Sequence, residues 1–102
     1  MVYEYEMKLL RVRKSRTKGK KYDAVFKDPQ SGEKRVVPFG ATGYQDYTQH
    51  KDKARRTLYR ERHRKDRINF PQTPGALSWH ILWGESTNLK DNVKAFKSKF
   101  GV

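Results

Sequence analysis

Residues Lys21 to Phe39, within the run KKYDAVFKDPQSGEKRVVPFG, constrain the fold more than any other part of the chain. Tyr22, Ala24 and Phe26 recur at the period of a strand with one face buried, and Val36, Val37 and Phe39 resume the pattern beyond a turn. Asp28-Pro29 opens that turn, because proline presets its own φ, and Ser31-Gly32 closes it, because glycine accepts a positive φ. The segment is therefore a β-hairpin. Pro38 lacks an amide proton for a ladder, so its strand belongs at a sheet edge or ends there.

Upstream, Tyr5, Met7, Leu9 and Val12 follow period two only approximately, which predicts a third strand with a bulge or a short helix in its place. The RKSRTKGKK run that follows has no core-forming side chain and reads as a mobile basic loop over residues 15–21, with Gly19 supplying freedom. Residues 1–5 and Phe70 to Thr73 are expected to be mobile as well.

Beyond the glycine-punctuated FGATGY connection, Tyr44 to Thr48 reads as a short turn and Lys51 to Lys65 as a helix of about four turns. Ala54 and Leu58 share one of its faces, with Tyr47 upstream. Asp52/Arg56 and Glu61/Lys65 are i,i+4 pairs. Lys53, Arg56, Arg60, Arg64 and Arg67 form a basic stripe that Arg55 and Arg62 broaden. TPGALSWHILWG predicts a core helix, with Thr73 as N-cap, Pro74 at its first position, Gly84 past its end, and Leu77, Ile81 and Leu82 inside. Leu89, Val93, Phe96 and Phe100 define a last helix capped by Asn88, with Lys90, Lys94 and Lys97 away from the apolar line. The expected fold class is α+β: a three-stranded antiparallel β-meander followed by two or three helices packed on one sheet face, in a single small basic domain over residues 1–102.

Charge then narrows the function. The net charge is +13 on 102 residues, only 34% of which are hydrophobic, and residues 1–21 and 50–67 each carry a net +6. A chain this small has little interior for an enclosed active site. With no cysteine, a disulfide framework and a cysteine nucleophile are excluded. No stretch approaches the roughly 20 apolar residues of a membrane span, and MVYEYEMKLL does not read as a signal peptide. No membrane partner is expected.

FGATGYQDYTQHKDKARRTLYRERH and TPGALSWHILWGESTNLKDNVKAFKSKF together resemble a family of small uncharacterised basic proteins encoded by large nucleocytoplasmic DNA viruses. The similar elements are the glycine-aromatic turn, the run Asp46, Tyr47, Thr48, His50 and Asp52, the Tyr59 to His63 portion, and Leu77 to Gly84. The resemblance covers most of residues 21–100. It implies a virion or genome-associated component, located in the virion and the host cell interior, in the nucleus or a cytoplasmic virus factory. It carries over no catalytic residue.

Clustered lysines and arginines gain binding free energy by releasing counterions condensed on nucleic-acid phosphates. The residues expected to contact nucleic acid are Arg11, Arg13, Arg16, Lys18, Lys20, Lys21, Lys53, Arg56, Arg60, Arg64 and Arg67, with Arg60 and Arg64 foremost. Tyr44, Tyr59, Trp79 and Trp83 are candidates for base stacking or a partner interface, Tyr47 for stacking, and each competes with a place in the core. No zinc-finger spacing, RNA-recognition signature or base-reading helix is present, so phosphate and shape contacts with duplex DNA are favoured over sequence readout. A virion structural or assembly role on an acidic protein surface is the alternative. A homodimer through Trp79, Trp83 and the final helix is a further expectation.

His50, His63 and His80 have no metal-ligand spacing. Asp46 and His50, four apart, would form an acid-base pair on a helix, but no nucleophile or carboxylate pair accompanies them, so Asp46 is expected to cap the turn instead. GATGYQDY matches no phosphate-loop pattern. No catalysis, metal or cofactor is expected.

Overall fold

The computed structural model describes residues 7–102, so the expectations for residues 1–5 lie outside the described residues. Strands β1 (Lys8–Lys14), β2 (Lys20–Lys27) and β3 (Lys34–Ala41) form one antiparallel sheet in the order β1-β2-β3. The register shifts between Leu9 and Arg11, which bulges Leu10 out of β1 and explains the broken alternation there. The cross-strand rows Leu9–Phe26, Val12–Ala24–Val37 and Tyr22–Phe39 stand on one face. Arg11–Val25–Val36 and Arg13–Asp23–Pro38 stand on the other.

The β2–β3 turn forms as its residues predict. Asp28 accepts from the Gln30 amide and the Ser31 hydroxyl, Gly32 adopts φ 75°, and its amide donates to the Asp28 carbonyl at 2.8 Å. Pro38 sits in edge strand β3. The β1–β2 turn is shorter than the expected loop, because Lys20 and Lys21 belong to β2. Buried Asp23 gathers this turn, accepting from the Ser15 hydroxyl at 2.6 Å and the Arg16 amide at 3.2 Å. The Phe70 to Thr73 segment is likewise a hydrogen-bonded turn, with Phe70 and Thr73 amides donating to the carbonyls of Arg67 and Phe70.

The expected helix over 51–65 is two elements. Helix α1 (Tyr47–His50) starts at Asp46 in a reciprocal capping box with Gln49 and stops at Lys51, which takes the left-handed conformation at φ 59°. Helix α2 (Lys53–His63) starts afresh because the Asp52 carboxylate accepts from the Ala54 and Arg55 amides. Asp52 thus caps the helix, whereas an i,i+4 partner for Arg56 would have to sit inside it. Helix α3 (Pro74–Leu77), capped by Thr73, continues into a π-helical turn over Ser78–Leu82 that ends where the Trp83 amide donates to the Ser78 carbonyl at 3.0 Å. Helix α4 (Leu89–Phe100) is capped by Asn88.

Met7, Leu9, Ala24, Phe26, Val37 and Phe39 of the sheet meet Leu77, Ile81, Leu82, Phe96 and Val102 in one core. The fold is α+β, a three-stranded meander with helices against one face. The Cα radius of gyration, 13.3 Å, is close to the roughly 13 Å of a single domain this long. Gly84 locks the helical layer together: a Cβ there would strike the His80 carbonyl oxygen and come within 2.9 Å of the Asn92 amide. Asn92, itself buried, donates to the carbonyls of Ile81 and Ser86 and so ties α4 to the π-helical turn.

Candidate nucleic-acid interface

Helix α2 presents a different face to the body than its two apolar residues suggest. No residue of α2 is buried; Ala54 is exposed and Leu58 is 57% exposed. The half-buried positions are Arg56, Tyr59, Arg60 and His63, at the spacing of one helical face. Arg56 Nε donates to the carbonyls of Trp83 at 3.2 Å and Gly84 at 2.7 Å, and its guanidinium lies 5.6 Å from the centre of the Tyr47 ring. Arg60 donates to the Trp83 carbonyl at 2.7 Å and lies 4.2 Å from the centre of buried Trp79. These arginines serve as the helix's packing side chains, with their guanidiniums set over the Tyr47 and Trp79 rings and donating to carbonyls at the end of the π-helical turn. Burial, with the neighbouring Arg56 charge, lowers the pKa of Arg60.

With Arg56 and Arg60 turned inward, Arg55, Leu58 and Arg62 lie on the flank of α2 beside Tyr59 and His63. There they line a cleft of about 580 Å³ with Lys20 and Lys21 of β2, Tyr44 and Asp46 of the loop after β3, and Tyr59, His63, Asp66 and Trp83. The two basic stretches of the sequence thus converge in one place, through Lys20 and Lys21 on one wall and Arg55 and Arg62 on the other. Their charges are not equally available. Lys21 is a latch, its ammonium donating to Asp46 Oδ2 at 2.7 Å and Gln49 Oε1 at 2.6 Å, so it fastens α1 to the sheet. Lys20, Arg55 and Arg62 are exposed.

The floor is aromatic. Tyr59 stacks on Trp83 at 4.2 Å with planes 4° apart and on His63 at 4.2 Å with planes 25° apart. Burial, and after it the Asp66 charge, pushes the Tyr59 phenol up to about 12, so it stays protonated across the physiological range. With those ring faces committed to each other, the aromatic ring the cleft offers to a ligand is Tyr44, which is 76% exposed.

Asp46 and His50 do not form an acid-base pair. The Asp46 carboxylate accepts from the Thr48 amide and hydroxyl and from Lys21, while His50 Nδ1 accepts from the Asp52 amide at 2.9 Å. That contact fixes the neutral tautomer with its proton on Nε2, an atom left buried without a hydrogen-bond partner against the Trp83 ring. Among the described residues no cluster of His, Cys, Asp or Glu could hold a metal ion, and no helix is long and apolar enough to cross a membrane.

The remaining predicted contacts lie elsewhere. Arg16 and Lys18 project from the β1–β2 turn, and Lys53, Arg64 and Arg67 are exposed outside the cleft. Arg11 and Arg13 stand on the helix-free sheet face, with Arg13 3.4 Å from Asp23. Arg55 and Arg62, beside the expected stripe, are the arginines of α2 that line the cleft. Their spacing with Leu58, at i, i+3 and i+7, is the signal that groups them.

Residues 10–63 match the model of a family described as a family of unknown function, DUF5754, and with more than half of its 102 residues inside that match the chain belongs to this family. The match takes in the sheet from Leu10 onward, α1 and all of α2, and so both basic walls of the cleft. No curated protein and no solved structure matches the chain.

Proposed function

We propose that the protein is a non-catalytic, largely sequence-nonspecific nucleic-acid-binding protein whose ligand is duplex DNA. The viral resemblance extends the reading to packaging or organisation of a genome in a virus particle. The observation that carries it is the convergence of Lys20 with Arg55 and Arg62 across one cleft, from two stretches more than 30 residues apart in sequence.

A phosphate backbone running along the cleft meets these three cations without breaking any hydrogen bond that holds the fold, while the committed Lys21, Arg56 and Arg60 keep the walls in place. Tyr44 adds an exposed ring for a sugar or base edge. Arg16, Lys18 and Arg64 extend the positive field, giving about six phosphate contacts and a slope of log affinity against log salt near −5.

Fluorescence titration of labelled duplex DNA, single-stranded DNA and RNA across a salt series tests the reading. Saturable binding with that slope is expected for the duplex, and Lys20→Ala/Arg55→Ala/Arg62→Ala should weaken it and make the slope shallower by about 3. Replacing Lys90 and Lys94 on the far helix α4 is the matched control. Absence of binding at low salt, or a triple variant that titrates like the parent, would overturn the proposal.

A further inference from the structure

The sheet face opposite the helices carries an arrangement that costs the fold stability. The strand register sets Lys8 against Lys27 and Lys27 against Lys34, a row of three like charges across neighbouring strands about 4.8 Å apart. Like charges directly opposite one another repel and destabilise a sheet. The next row on this face is Arg11–Val25–Val36. No described carboxylate lies within ion-pair distance of Lys8, Arg11, Lys27 or Lys34; the face's own acid, Asp23, is consumed by Arg13, Ser15 and Arg16. Lys8 commits one of its three donors to the Gly101 carbonyl at 2.9 Å. Lys8, Lys34, Arg11 and Val36 are exposed and Lys27 is half-buried, whereas Val25 and Asp23 of the central strand are buried; the helical core residues lie against the other face.

We infer that the rim of this sheet face is a second polyanion-binding surface, formed by Lys27, Lys34, Arg11 and Lys8, and that one copy of the chain bridges two duplex segments. The inference rests on the nucleic-acid reading of the cleft. A row of lysines with no partner carboxylate among the described residues, at the spacing of adjacent strands, has its charge complement in a phosphate backbone, and an antiparallel sheet is a known platform for a DNA groove. Phosphates brought over the row replace ammonium repulsion with attraction. The cleft opens on the helix-bearing side of the molecule, among Leu82, Trp83 and α2, so the two surfaces face different directions. Bridging by a monomer follows from this placement without self-association.

The test immobilises one duplex on beads, loads protein below saturation, and measures capture of a second, labelled duplex, with sedimentation fixing the protein's oligomeric state under the same conditions. Wild type is expected to capture the second duplex as a monomer. Lys27→Gln/Lys34→Gln should cut capture at least tenfold while changing affinity for the first duplex less than threefold. Because the substitution relieves the like-charge row, its urea midpoint should rise. Undiminished capture by the variant, capture that requires a dimer, or binding of one duplex with no capture of a second would each overturn bridging and leave the cleft intact. Absence of binding to any duplex would overturn the cleft reading along with it. A variant that loses capture because it unfolds would show a fall in midpoint, contradicting the repulsion on which the inference stands.

Discussion

The guanidinium of Arg60 lies over the ring of Trp79, 4.2 Å from its centre, and from there reaches the Trp83 carbonyl. A cation placed this way on a buried ring, with a charge-assisted hydrogen bond to a carbonyl it shares with Arg56, is a stability device. Arg60→Ala should therefore destabilise the fold by about 2 kcal/mol, read by urea unfolding, while duplex affinity of the folded protein changes little. A variant with parental stability and a large loss of affinity would return Arg60 to the interface.

This relationship marks where the sequence stopped being legible. The hairpin was readable because turn chemistry at Asp28, Pro29 and Gly32 agrees with period-two patterning on both sides, and α4 because a cap precedes four apolar residues at helical spacing. The inner face of α2 was not, since hydropathy places Ala54 and Leu58 inward and arginines outward, and the Arg56 and Arg60 guanidiniums placed over Tyr47 and Trp79 invert that rule. The break at Lys51 was equally hidden. A lysine there adopts a conformation usually left to glycine, held by the caps that Asp46 and Asp52 supply on either side. Convergence of the basic stretches required the tertiary fold, because it depends on which side of α2 faces the body.

Gly84 and Gly43 separate steric from conformational requirement. Gly84→Ala drives a methyl group into the His80 carbonyl oxygen and the Asn92 amide, neither free to move, and should cost about 3 kcal/mol or more. Gly43 has φ 88° but open space around its Cα, so Gly43→Ala bears only the backbone penalty, about 1 kcal/mol. Thermal melts of the two variants check the order, and equal losses would count against the packing assigned to Gly84.

Asp23 should set the acid limit of the sheet. Burial alone would raise its carboxyl, but the Ser15 hydroxyl, the Arg16 amide and Arg13 outweigh that and hold its pKa below the ordinary 3.8. A carboxylate depressed in the folded state contributes stability above its unfolded pKa and loses it as pH falls toward the folded value. Asp23→Ala should cost about 3 kcal/mol at neutral pH by leaving the Ser15 and Arg16 donors and Arg13 without their acceptor. The same variant should lose less stability than the parent on acidification below pH 4, followed by circular dichroism. A variant that falls as steeply as the parent would remove Asp23 from this role.

The histidines act earlier in an acid titration. Burial first, then the Arg55 charge, lowers the pKa of His50 below 6.5, and burial lowers that of His80 despite its hydrogen bond to the Ile68 carbonyl. A histidine whose folded pKa is depressed binds its proton more readily in the unfolded chain. Its contribution to stability is therefore complete above about 6.5 and declines as pH falls from there toward the folded pKa. For His50 the cause is concrete, since a proton on Nδ1 would replace the lone pair that accepts from the Asp52 amide, at the junction where α1 hands over to α2. Urea unfolding at pH 7.5, 6.0 and 5.0 should show a progressive decline. His50→Gln, which keeps an acceptor and cannot gain a proton in this range, should flatten it in part and leave the His80 share. A parental protein equally stable at all three values would refute the assignment of both histidines as neutral groups of the folded state.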